Sequence, residues 1–151
     1  MYDNSHGKAY FLMDITLQVI GRRNAHILEA VADDVFDDAI DPDRLARYVE
    51  EANHFLVVAL DEGLVVGQVR GIIHHHPDAS PELYIDNAGV APEFQRQGIG
   101  KKLMAEMITL AKAHGCEDIW LGTEADNEAA KALYLSLGFD MTDMVMFDGE
   151  I

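Results

Sequence analysis

Basic residues are scarce in this sequence, cysteine occurs once, and no long apolar run is present. Lys and Arg number 11 against 27 Asp and Glu, a formal net charge of -16. Binding nucleic acid requires a basic footprint that displaces counterions from phosphates, and none is visible here, so nucleic acid is not an expected partner. An anionic membrane surface repels such a chain for the same reason, whereas a cationic small molecule is attracted to it. The single cysteine, Cys116, excludes an internal disulfide and fits a reducing, cytoplasmic setting. It follows Gly115 and precedes the apolar pair Ile119 and Trp120, a context that suits a packed thiol better than a nucleophile. No apolar stretch approaches the ~20 residues of a membrane-spanning helix. Tyr10 to Ile20 is interrupted by Asp14, Thr16 and Gln18 and lacks the basic start and small-residue cleavage pattern of a secretory leader.

What is present suits one domain. A chain of 151 residues with 49% hydrophobic content can bury one sizeable core. Residues 1–12 are expected as a flexible N-terminal extension and 13–151 as the domain. Alternation of Ile15, Leu17 and Val19 marks a strand over 14–20. Ile27, Leu28, Val31, Val35 and Phe36 fall at helical spacing, and Asp41-Pro42 suits the start of another helix. Strands follow at 55–60 and 64–73 about an Asp61-Glu62-Gly63 turn, and at 83–90. A helix from about Gly98 to His114, a strand at 119–123, a helix over 128–137 and one or two strands within 139–147 complete the order. This succession predicts an α/β (α+β) domain, with a central mixed, mostly antiparallel sheet flanked by helices on both faces.

The segment from Val90 to Lys102 carries the most chemistry. A strand ends, a short loop containing Pro92 turns, and a helix begins at Gly98-Ile99-Gly100. The first turn of a helix presents unpaired amides and a positive dipole end, and glycine lets a bulky anion approach them. Arg96, Lys101 and Lys102 add positive charge where the chain otherwise has little. A phosphate or pyrophosphate site follows. The segment is neither a Rossmann fingerprint nor a Walker A loop, since Gly-x-Gly-x-x-Gly and Gly-Lys-Ser/Thr are both absent.

Gln95-x-x-Gly98-x-Gly100 resembles the acyl-CoA pyrophosphate loop of the GCN5-related N-acetyltransferase (GNAT) superfamily, and the run from Asn127 to Phe139 resembles that family's second signature. The resemblance implies a GNAT fold and acetyl-CoA as co-substrate, with no metal. Ala88, Gly89 and Val90 would offer backbone groups to the pantetheine arm. The amides of Gln95, Arg96, Gln97, Gly98, Ile99, Gly100 and Lys101 would hold the pyrophosphate. Asn127 would bond the cofactor arm, and Tyr134 would protonate the leaving thiolate. These last two are seven residues apart, about two helical turns, and so share a face. Homodimers are common in the superfamily, so a homodimer is implied by analogy alone.

Within the superfamily the chain is similar to the type I gentamicin 3-N-acetyltransferases, through Glu82-Leu83-Tyr84-Ile85 and the ending Met144-Val145-Met146-Phe147-Asp148. Where that family reads Tyr-Asp after the isoleucine, this chain has Asp86-Asn87. The resemblance implies acetylation of a cationic amine, an aminoglycoside at its 3-amine, or else a polyamine, an amino acid or a protein amine. A non-catalytic acyl-CoA-binding module is the further alternative.

An amine must lose a proton to attack, so such a site needs carboxylates to hold the cation and a base to deprotonate it. Glu82, Asp86 and Glu124 are the candidates. Alternation places Glu82, Tyr84 and Asp86 on one strand face unless a bulge near Asn87 intervenes. Asp33, Asp34, Asp37, Asp38, Asp41 and Asp43 would draw polycations if they line the cleft, and otherwise form a solvated face. His74-His75-His76 alternate in direction on a strand and so do not suit one metal; they fit a strand end entering a loop.

Overall fold

The computed structural model describes residues 14–151, so the expected N-terminal extension at 1–12 lies outside the described residues. Five strands, β1 (Ile15–Val19), β2 (His54–Asp61), β3 (Leu64–His74), β4 (Glu82–Val90) and β5 (Asp118–Leu121), form one sheet in the order β1-β2-β3-β4-β5. The first four pair antiparallel in succession, and β5 lies parallel to β4. Three α-helices accompany them: α1 (Pro42–Tyr48), α2 (Ile99–Ala113) and α3 (Glu128–Ser136).

The β2 strand explains why both faces are covered. Its residues alternate in direction, yet Leu56 through Leu60 are all buried. Val57 and Ala59 join Val69, Leu83, Ile85, Leu103, Met104 and Met107 beneath α2. Leu56, Val58 and Leu60 join Leu28, Val35 and Val65 on the opposite face, with Leu45 and Tyr48 of α1 against them. The α2 stripe of Ile99, Leu103, Met104, Met107 and Ala111 follows helical spacing and is almost fully buried. Each such Leu or Met stabilises the fold by about 1.5–3 kcal/mol. The helix ends where the Cys116 amide reaches back to the Ala111 carbonyl at 3.0 Å. α1 begins as expected: Asp41 caps it by accepting from the Arg44 amide at 2.8 Å, with Pro42 in its first turn.

Two expected elements are absent. The helix proposed through Ile27–Phe36 is only a 3-10 turn, Ala25–Glu29. Beyond it the chain is extended: Val31 bridges Val65, and the Ala32 amide bonds the Val65 carbonyl at 2.9 Å. A helix here would place Asp33 over Asp37 and Asp34 over Asp38, like charges one turn apart, and β-branched valines add to the disfavour. The strands expected in 139–147 are also missing. That segment has no regular structure, and Met141, Met144, Val145, Met146 and Phe147 are exposed. Its apolar pattern suits a strand, and the outer edge of β5 is open among the described residues, but the segment does not pair with it.

Candidate active site

The sheet opens where β4 and β5 part. Their parallel pairing runs from Glu82↔Asp118 to Ile85↔Leu121 and stops there, while β4 continues to Val90 against β3 alone. The backbone edge from Asp86 to Val90 therefore faces a gap rather than a strand. Ala88, Gly89 and Val90 all lie on this edge.

A bulge shapes the same stretch. Arg70 pairs with Asn87 and Gly71 with Ile85, so Asp86 is the extra residue on β4. Strict alternation would turn Asn87 under α2 beside Ile85. The bulge instead returns it to the opposite face, where its Oδ1 accepts from Gln68 Nε2 and its Nδ2 donates to Asp37 Oδ2 at 3.0 Å. Gln68, fully buried on β3, also donates to the Val35 carbonyl at 3.2 Å. The Asp-rich segment after the 3-10 turn thus crosses β4 and is tied to it. Gly89 permits the crossing, since a Cβ there would stand 2.4 Å from the Val35 carbonyl oxygen. The same segment walls a cleft of about 800 Å3 reaching from His26 to Ala46, lined by Asp33, Asp34, Asp37 and Asp38.

At the far end of β4, a 3-10 turn (Pro92–Phe94) leads into the glycine loop. Gly98 adopts φ +82, a left-handed conformation that suits glycine, and Arg96 shares that region at φ 61. The first amide to close onto a helix carbonyl is that of Lys102, on Gly98 at 3.1 Å. The Gln95 amide, expected to face the anion, is instead bonded to the Pro92 carbonyl at 3.4 Å. The amides from Arg96 to Lys101 have no earlier helix carbonyl to reach, so they remain available to an anion. Gln95 and Gln97 turn their side chains back onto the Val90 and Glu93 carbonyls, at 2.9 and 3.3 Å. Those side chains brace the loop and leave anion contact to the backbone.

Tyr134 of α3 and Leu137, which caps its C-terminal end, pack partly buried against the α2-side core. Asn127 caps the start of α3, accepting from the Ala130 amide at 3.0 Å, which leaves its Nδ2 as a free donor direction. Tyr134 lies parallel to Phe139, ring centres 6.2 Å apart, and burial pushes its phenol above the usual value. The phenol therefore keeps its proton at neutral pH.

The three carboxylate candidates differ in environment. Asp86 is held by Arg70, with Nη2 at 3.1 Å and Nε at 3.2 Å. Glu82 accepts from Trp120 Nε1 at 3.2 Å, and His76 Nε2 lies 3.2 Å from the same oxygen. Glu124 is exposed in the loop between β5 and α3. Burial, and then the charge of Glu82, raise the Cys116 thiol above its usual value, in keeping with a packed thiol. Sequence reasoning missed Arg70, Gln68 and Trp120. Their signal was weak, because each gains its partner only through cross-strand register or helix packing. The triple histidine did end a strand as expected: His74 closes β3.

Residues 23–139 match the model of the acetyltransferase (GNAT) family. The chain belongs to that family. It is an N-acetyltransferase of the GNAT type, and its mixed five-stranded sheet with three helices is the GNAT fold. It is similar to the aminoglycoside N(6')-acetyltransferase type 1 of Salmonella typhimurium, 26% identical over 102 residues that cover 64% of this chain and 70% of the relative. It is also similar to the ribosomal protein bS18-alanine N-acetyltransferase of Escherichia coli, 42% identical over 59 residues, 39% of this chain and 40% of that one. Among solved structures, the aminoglycoside acetyltransferase AAC(6')-Iy in complex with the bisubstrate analogue CoA-S-monomethyl-acetylneamine superposes with a TM-score of 0.76 at 19% identity, covering 91% of this chain and 98% of that one.

Proposed function

We propose that this GNAT enzyme acetylates an amine of an aminoglycoside, with acetyl-CoA bound where β4 and β5 part. The parting strands carry the reading, because they leave a strand-like binding edge that runs directly into an anion-binding helix start. The pantetheine arm would lie along Ala88, Gly89 and Val90, as an added strand does. The amides from Arg96 to Lys101 would take the pyrophosphate, with the Arg96 and Lys101 side chains adding charge. Asn127 Nδ2 would donate to the arm.

The neutral acceptor nitrogen attacks the thioester carbon, the C–S bond breaks, and the leaving thiolate takes the Tyr134 phenol proton, while the proton shed by the acylated nitrogen restores the phenol directly or through water. The attacking ammonium must first lose a proton. Glu124, free in the loop beside the parting strands, would accept it directly or through water. Asp86 is neutralised by Arg70 and would shape the site, while Glu82 would hold a cationic group of the acceptor. Asp37 and its neighbours make the approach attractive to a polycation.

The 3-amine implied by the gentamicin likeness gives way to the 6'-amine as the favoured position, because both aminoglycoside acetyltransferases named above are 6' enzymes. A second reading, acetylation of a protein N-terminal alanine, rests on the likeness to the bS18 enzyme. Free-CoA release with sisomicin, gentamicin, spermidine and an alanine-ended peptide separates the two. Aminoglycosides are expected to accelerate release, with NMR of the product placing the acetyl on the 6'-nitrogen. Acceleration by the peptide alone would overturn the aminoglycoside reading.

A further inference from the structure

Beside Glu82, on the open face of β4 and β5, lie three aromatic rings that have no part in the chemistry above. Tyr84 and Trp120 face each other across the parallel pair, in direct register, and their rings stack 4.2 Å apart at 27°. Trp120 is 39% exposed, although a tryptophan in the middle of a strand usually buries its ring. His74 lies beside both rings, tilted by 32° to Tyr84 and 59° to Trp120, with centres 5.7 and 6.3 Å away. The Trp120 indole N–H is fixed on Glu82 Oε1, which orients the ring and anchors the carboxylate beside it. The result is a flat, exposed aromatic face with an acidic rim.

Its position matters. Tyr84↔Trp120 is the pairing just before Ile85↔Leu121, the last before the strands part. The face also points away from α2, on the side to which the bulge returns Asn87. An acceptor whose amine enters the gap would have its next ring over Trp120.

We propose that Trp120, backed by Tyr84, is the platform on which an aminosugar ring of the acceptor lies, with one of its ammonium groups held by Glu82. The C–H face of such a ring is apolar enough to stack on indole, and a ring ammonium gains further from the face of the aromatic and from the carboxylate. This rests on the aminoglycoside reading and deepens it: Trp120 selects cationic acceptors that carry rings from those that do not.

Trp120 is the only tryptophan of the chain, so its emission reports on the platform without labelling. Titrating the enzyme with sisomicin is expected to change the emission saturably, over the concentration range of its KM. Spermidine, cationic but without a ring, is expected to leave it unchanged. Trp120→Ala is expected to raise the sisomicin KM about tenfold while leaving kcat, the acetyl-CoA KM and the melting temperature close to those of the parent. Trp120→Phe should restore most of the loss. An unchanged sisomicin KM in Trp120→Ala, or equal losses for sisomicin and spermidine, would overturn the platform while CoA release from sisomicin still upheld the aminoglycoside reading. If no aminoglycoside releases CoA from the parent enzyme, that reading fails and the platform falls with it.

Discussion

Gly89→Ala tests how tightly the Asp-rich segment is pinned to β4. A Cβ built on Gly89 stands 2.4 Å from the Val35 carbonyl oxygen. Ordinary contact begins near 3.4 Å, so the segment would have to move by about 1 Å. It has little freedom to do so. Ala32 and Ala30 are bonded to Val65 at 2.9 Å on one side, and Gln68 holds the Val35 carbonyl itself at 3.2 Å. The obstacle is backbone, not the end of a flexible side chain. Forced overpacking of this kind costs about 1–3 kcal/mol, and a domain of this size loses about 2–4 °C of melting temperature per kcal/mol, so the expected fall is roughly 2–12 °C. The gain from restricting the unfolded chain, under about 1 kcal/mol, offsets part of it. Thermal unfolding followed by circular dichroism reads the change. Gly21→Ala is the control, since a Cβ there meets nothing within 4 Å. Equal melting temperatures for the two variants would refute the reasoning.

Tyr134→Phe keeps the packing on Phe139 but removes the phenol proton, so kcat is expected to fall by about 10²–10⁴-fold with the acetyl-CoA KM little changed, as steady-state CoA release will show. Met107→Ala empties a fully buried position under the sheet and is expected to cost about 2–5 kcal/mol in denaturant unfolding. The Tyr48 hydroxyl is buried without a hydrogen-bond partner among the described residues, so Tyr48→Phe is expected to stabilise the fold by about 1 kcal/mol in the same measurement. Burial, with Asp86 next in size, raises the Tyr48 phenol, and burial raises Tyr134, both above the ordinary value of 10.0. Above that pH the folded state therefore holds protons that the unfolded chain releases, and stability falls as pH rises. Unfolding measured from neutral to strongly alkaline pH should show this decline, with a shallower one in Tyr48→Phe.

The sheet, α1, α2 and α3 were legible because each follows one period consistently: two for Ile15-Leu17-Val19, helical for Leu103-Met107-Ala111. The anion loop was legible because its glycines stand at a strand-to-helix junction. Ile27–Phe36 misled because its apolar spacing is helical while its aspartates repel at one turn and its valines find a strand, β3, to bridge. The tail after Phe139 misled because alternation records what a segment could pair with, not whether it does so, and the open edge of β5 stays unpaired among the described residues. The acidic candidates were found by residue type, but their states depend on cross-strand partners. Arg70 reaches Asp86 only through the bulge, and Trp120 reaches Glu82 only because β5 lies parallel to β4 in this register. Such pairings join residues 16 and 38 positions apart and leave no local signal.

The central claim is that acetyl-CoA and a cationic aminosugar meet where β4 and β5 part. Its most direct test is free-CoA release by the purified enzyme at saturating acetyl-CoA with sisomicin added. The account predicts stoichiometric release of CoA with formation of mono-acetylated sisomicin, and loss of that rate in Tyr134→Phe. No acceleration by sisomicin, or an unaltered rate in Tyr134→Phe, would contradict it.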